Sequence, residues 1–181
     1  ICWPSQDPLL NTVALVEHLT AADVLLAPKV AHKWELIDRM VECMVASGSL
    51  DAGMEEAAKA ALVEREKSVS TGMEHGIAVP HAALDDLDCL KVAMGLIPAG
   101  LEFQSVDGKP AQIVILLLVP KKEKVLHLAT LTEVARRLGS ADFRARLLAV
   151  QDGEAAVACW APPPPPCAPA ASVPRCRMAL P

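Results

Sequence analysis

The apolar residues of the chain change period twice, and those changes mark its elements. From His32 to Ser47, Trp34, Ile37, Val41, Met44 and Val45 recur at the spacing of one helical face, and Gly48 supplies the stop. A second helix is predicted from about Asp51 to Lys67, with Met54, Ala58, Ala61 and Leu62 on one side. The period then shortens. "GIAVP" and "KVAMGLI" read as short strands, and "IVILLLV" (113–119) reads as a strand buried on both faces, entered through a turn on Asp107-Gly108. Helical spacing returns from about Lys124 to Leu138, and Ser140 caps a last helix, "ADFRARLLAV". Upstream, "NTVALVEHL" suits a short helix capped by Asn11, and "DVLLA" a short strand ending at Pro28. Helices alternate with strands, and some strands lie close enough in sequence to pair as hairpins. The expected fold is α/β, a single domain whose mixed parallel/antiparallel sheet is flanked by helices.

Composition sets the limits of that domain. The chain has 181 residues, enough for one sizeable core and too few for two comfortable ones. Residues 9–154 carry the periodic pattern and 1–8 form a short extension. Residues 155–181 hold the run Pro162–Pro166, which favours a polyproline II rod, so that segment is expected to be a disordered tail. The chain is 52% hydrophobic with 3% aromatic and no tyrosine, so the core must be aliphatic. A net charge of −5 without a basic stripe argues against nucleic acid as a partner. The longest apolar run has seven residues, whereas a spanning helix needs about 20, and the N-terminus lacks the pattern of a secretory signal. The expectation is a soluble, cytoplasmic protein with no direct membrane insertion. Six cysteines without CxxC spacing read as free thiols in a reducing compartment.

Candidate chemistry gathers in "EREKSVSTGMEHGIAVPHA", residues 64–82. Strand alternation points Ile77, Val79 and His81 the same way if the backbone stays extended. Pro80 lacks a ladder donor, so the strand is expected to stop there and leave His81 at a rim, with an apolar floor behind it and water in front. Partial desolvation at such a rim disfavours imidazolium and keeps a ring lone pair available near neutral pH. Taken by itself, a histidine after a strand is an ordinary feature. The other candidates offer less. His75 and Glu74 make a metal pair without a third ligand at useful spacing, so no metal is implied. His18 and His32 fall near helix ends, as surface or capping residues. There is no GxSxG elbow for a hydrolase, and no GxGxxG or P-loop glycine run for a nucleotide.

The same stretch resembles the phosphorylation-site signature of the enzyme IIA proteins of the phosphoenolpyruvate-dependent phosphotransferase system, in the fructose–mannitol–nitrogen class. That pattern is an acidic residue, a Ser/Thr-Gly turn and an apolar–Ala–apolar–Pro-His-small tract. Here it is Glu66, Ser70-Thr71-Gly72, Met73, Ile77-Ala78-Val79 and Pro80-His81-Ala82. The chain departs from it at Glu74, where the family usually has Gly or Ala. "VDGKPAQIVILLLVP" is similar to the family's turn and central strand, and "HLATLTEVARRL" to its helix with a second histidine, so the resemblance covers about residues 9–150.

By resemblance, His81 is the phosphorylated residue, with Arg65 and His127 lining the site and no cofactor. The donor is the phosphohistidine of the carrier HPr, and the acceptor a IIB domain or a regulated protein. Transfer between two nitrogens needs in-line geometry and neutralised oxygens rather than a strong base. Arg65 offers a planar fork to phosphate oxygens, and Ser70 and Thr71 offer hydroxyls. His127 shares a helical face with residues 131, 134 and 138, in a first turn whose free N–H groups favour an anion; Lys121, Lys122 and Lys124 precede it. Two roles follow: a phosphoryl relay in sugar uptake, or a nitrogen-class regulator whose His81 phosphorylation controls binding to other proteins. A domain that has lost phosphorylation is a third reading, opposed by the presence of Arg65, His81 and His127.

Overall fold

A computed structural model describes residues 15–161. The expected cap Asn11 and the polyproline run lie outside the described residues. Leu15–Glu17 and Ala21–Asp23 are 3-10 turns, so "NTVALVEHL" is not one α-helix within the part described. Strand β1 (Val24–Leu26) follows. Helix α1 (Lys33–Ala46) starts where His32 Nδ1 accepts the Glu35 N–H at 3.1 Å, giving His32 the capping role expected of it. Asp51 accepts from Gly53 N–H to open a 3-10 turn, and helix α2 runs Glu55–Ser68. Then come β2 (Ile77–Ala78), β3 (His81–Leu84), β4 (Lys91–Leu101) and β5 (Ala111–Pro120). Three helices close the described chain: α3 (Lys124–Leu138), α4 (Ala141–Leu148) and α5 (Gly153–Trp160).

The sheet is mixed, as the alternation of elements predicts. Its order is β1-β4-β5, with β2 and β3 both on the far side of β5; β4 and β5 are antiparallel and every other pairing is parallel. One face is covered by α1 and α2 through Leu36, Ile37, Met40, Met44, Ala58 and Leu62. The other is covered by α3, α4 and α5 through Val134, Leu138, Phe143, Leu147 and Trp160. Strand β5 is buried along nearly all its length, which is why its sequence is a continuous apolar run rather than an alternating one.

Two expectations are corrected. Strand β2 does stop before Pro80, at Ala78, but the sheet edge does not stop there, because pairing with β5 resumes at His81 in β3. Ala78 stands opposite Val114 and His81 opposite Leu117, so the register on β5 is the same on both sides of the proline. Pro80 withholds one donor, but its carbonyl still accepts from Leu117 N–H at 2.9 Å, and an edge strand tolerates that single gap. The domain also does not end at 154. Helix α5 is capped by Asp152 and buries Ala156 and Trp160, and Phe143 meets the Trp160 ring edge-on with centroids 5.1 Å apart. Residues 155–160 therefore belong to the packed fold, and the boundary moves past Trp160.

Candidate functional site

Three elements deliver side chains to one cleft of about 400 Å³: the end of α2, strand β3 and the start of α3. Its lining includes Arg65, Ser68, His81, Ala83 and His127. Alternation along the edge strand does the positioning. Ala82 and Leu84 turn toward α1 and α2, while His81 turns toward α3 with the parity of Ile77 and Val79. There it meets His127, ring centroids 5.2 Å apart and planes at 63°.

The surroundings of both imidazoles favour the neutral form. Burial pushes His81 below the ordinary histidine value; the Val79 carbonyl opposes that shift, Arg65 and His127 add to it, and Glu66 counters them. Burial and then the Arg65 charge do the same to His127. His81 Nδ1 lies 2.9 Å from the Val79 carbonyl oxygen. A carbonyl can only accept, so Nδ1 carries the proton and Nε2 of the neutral ring keeps its lone pair. His127 Nε2 is shielded from solvent and has no hydrogen-bond partner among the described residues, a buried polar atom whose missing partner calls for an explanation. Glu123, which precedes α3, makes no side-chain cap, and the first turn holds no acidic residue. The leading N–H groups of α3 are thus not neutralised by an internal anion.

The predicted site residues do not all meet. Arg65, His81 and His127 line the cleft together; Ser70 and Thr71 do not. Thr71 donates its N–H and hydroxyl to Glu66 Oε2 at 2.9 and 2.6 Å, and Ser70 Oγ donates its one proton to the Phe103 carbonyl, with Glu66 Oε1 3.2 Å away. Both hydroxyls are occupied in shaping the turn. Arg65 has one guanidinium nitrogen on the Val69 carbonyl at 2.8 Å, which leaves the rest of the fork free. Sequence reasoning missed the buried pair of Glu66 with Lys33 Nζ, 2.8 Å apart, whose residues stand 33 positions apart on separate helices. It also missed three exposed apolar residues close in sequence to the cleft lining, Val69 after Ser68, and Val125 and Leu128 on either side of His127. The signal for two of them was present, since positions 125 and 128 lie one turn apart on the outer side of α3. At the turn before β2, Gly72 is required: a Cβ there would sit 2.8 Å from Ser105 Cα. Glu74 is accommodated in solvent, and His75, at φ 65°, is tied by its N–H to Asp107 Oδ2 at 3.0 Å.

Two further cavities lie elsewhere. One, of about 330 Å³, is apolar and lined by Met73, Ile77, Val106, Val134 and Leu138. The other, of about 470 Å³, is polar and includes His75, Lys109, Gln112 and Arg144. His75 lines both, with Glu74 beside it in the first and Lys109 and Arg144 in the second, but only the histidine cleft brings two imidazoles and a guanidinium together, and it is the candidate site.

A family model described as "Phosphoenolpyruvate-dependent sugar phosphotransferase system, EIIA 2" matches residues 17–159. The chain belongs to the EIIA type 2 family. This EIIA type 2 chain is 31% identical over 150 residues to a nitrogen regulatory protein of Bradyrhizobium diazoefficiens, covering 82% of this chain and 96% of the relative. It is 29% identical over 143 residues to the fructose-specific EIIABC component of the phosphotransferase system of Bacillus subtilis. That match covers 79% of this chain but only 22% of the relative's length. Among solved structures, the nitrogen regulatory protein IIA-Ntr of Neisseria meningitidis aligns with TM-score 0.74 and 26% identity, over 81% of this EIIA chain and 99% of that one.

Proposed function

We propose that this protein is a phosphohistidine carrier that takes a phosphoryl group onto His81 Nε2 from phospho-HPr and passes it, in the cytoplasm, to a IIB component. The observation that carries the reading is the pairing of a neutral, carbonyl-tethered His81 with His127 and Arg65 in one cleft. In the transfer, the Nε2 lone pair forms the new N–P bond as the N–P bond to the donor imidazole breaks, and the donor ring leaves with that electron pair. The positive charge that develops on the His81 ring is spread toward Nδ1–H, which already donates to Val79 O. The oxygens of the transferred group meet the free part of the Arg65 fork, the unpartnered His127 nitrogen and the uncapped first turn of α3. The exposed apolar side chains Val69, Val125 and Leu128, close in sequence to Ser68 and His127 of the cleft, suit contact with a protein donor rather than a nucleotide.

A second reading has its own support. The match to a nitrogen regulatory protein spans nearly all of that relative, so the same phosphorylation could serve to control binding to another protein. Both readings require His81 to accept phosphate. Purified enzyme I, HPr and phosphoenolpyruvate should label the protein with an acid-labile phosphate, and His81→Ala should abolish the label while the fold survives. Unchanged labelling of His81→Ala would exclude both readings. Discharge of the label onto a IIB domain separates the relay from the regulator.

A further inference from the structure

We propose that Glu66, acting through Thr71, is a positioning residue that fixes which nitrogen of His81 faces the cleft; its catalytic consequence rests on the phosphocarrier reading, its geometry does not. A chain of hydrogen bonds links the two. Lys33 Nζ meets Glu66 Oε1 at 2.8 Å, and Thr71 N–H and Oγ1 both donate to Glu66 Oε2. The Thr71 carbonyl accepts from Val79 N–H at 3.1 Å, and the Val79 carbonyl takes the His81 ring at 2.9 Å.

The need for such an anchor comes from the proline. Beside Pro80 the edge strand has lost a ladder donor, and Val79 N–H points outward to Thr71 instead of to β5. The backbone entering Val79 is therefore held from outside by segment 71–73, through Val79 N–H and through the Ile77 carbonyl, which accepts from Met73 N–H at 2.7 Å, and the Val79 carbonyl is the next group along. Glu66 fastens that segment. Its side chain is fully buried and meets three donors on its two oxygens, Lys33 on Oε1 and the Thr71 N–H and hydroxyl on Oε2. A buried ion pair is a poor source of net stability, but hydrogen bonds to both oxygens make it a constraint on geometry. Arg65 is the next residue on the same turn of α2, so the anchor that sets the Val79 carbonyl also ties the end of the helix carrying the guanidinium to the strand carrying the nucleophile.

The test reads the tautomer directly, in the unphosphorylated protein. Long-range ¹H–¹⁵N spectra of the His81 ring, at a pH where it is neutral, should show the proton on Nδ1 in the wild type and in Thr71→Ser, which keeps both donors. Glu66→Gln presents an amide N–H₂ to Lys33 or to Thr71, and Thr71→Val removes the hydroxyl. Each should give mixed tautomers, with phosphoryl uptake slowed by roughly 10- to 100-fold in Glu66→Gln and less in Thr71→Val, and the KM for phospho-HPr little changed. A folded Thr71→Val protein with the wild-type ¹⁵N pattern and wild-type uptake overturns the proposal, whatever becomes of Glu66→Gln. If the wild type takes no label at all, the phosphocarrier reading fails, and the tautomer comparison still decides the role of Glu66.

Discussion

The two ends of α3 face cavities of similar size and opposite chemistry. At its start, His127 joins His81 and Arg65 in a cleft with neutral imidazoles, a helix terminus without a cap and a buried nitrogen without a partner. At its end, about 16 Å along the axis at 1.5 Å per residue, Val134 and Leu138 line an apolar groove with Met73, Ile77 and Val106. The groove is mostly apolar, with Glu74 and His75 also in its lining, whereas the cleft sets an unpartnered imidazole nitrogen and a guanidinium among alanines. Unmet hydrogen-bonding capacity, not apolar volume, is what marks a place awaiting a charged guest.

That contrast predicts a separation of stability from function along one helix. The largest effect belongs to the groove end: Leu138→Ala, at a fully buried position, should lower unfolding free energy by about 2–5 kcal/mol in denaturant titration, while the folded fraction labels at the normal rate. Next, at the cleft end, Arg65→Met should slow phosphoryl uptake by roughly 10²-fold, measured with phospho-HPr in rapid quench, and leave unfolding within about 1 kcal/mol of wild type. Were Leu138→Ala to impair transfer as much as Arg65→Met, the division between the two ends would be lost. The pH dependence is a smaller effect. Burial places both histidines below the ordinary value near 6.5, so the unfolded chain takes up protons first as the pH falls. Their contribution to stability is complete above about pH 6.5 and declines below it, and uptake should decline as His81 protonates, with an NMR midpoint under 6.5. The smallest effect is expected at the exposed apolar residues. Leu128→Ser should raise the KM for phospho-HPr a few-fold and change stability by no more than about 0.5 kcal/mol, because Leu128 is 70% exposed.

The helices were the most legible part of the fold. The α3 limits follow from the spacing of its apolar residues, and α1 is bracketed by His32 and Gly48 as its caps require. Strand β3 was hidden because Pro80 reads locally as a terminator; only the pairing of its carbonyl with Leu117, a contact distant in sequence, shows that the sheet edge continues. Helix α5 was hidden by the prolines that follow it, although Asp152 as a cap and a tryptophan eight residues on were both visible. At the site, the alternation of Ile77 and Val79 gave the direction of the His81 side chain and the helical face that of His127, while the roles expected of His81, His127 and Arg65 came from the resemblance. Ser70 and Thr71 were misplaced because a hydroxyl near a histidine looks like a phosphate ligand until the carboxylate it serves is located. Glu66 had been noted as a position in a pattern, but only the fold brings Lys33 to it and gives that position a physical role.

The central claim is that Nε2 of His81 is the nucleophile, and ¹⁵N-histidine NMR after phosphorylation with phosphoenolpyruvate, enzyme I and HPr tests it most directly. The account predicts a single phosphohistidine, with the new bond at His81 Nε2 and the proton still on Nδ1. Phosphate on Nδ1, on His127 or on any residue other than His81 would contradict it.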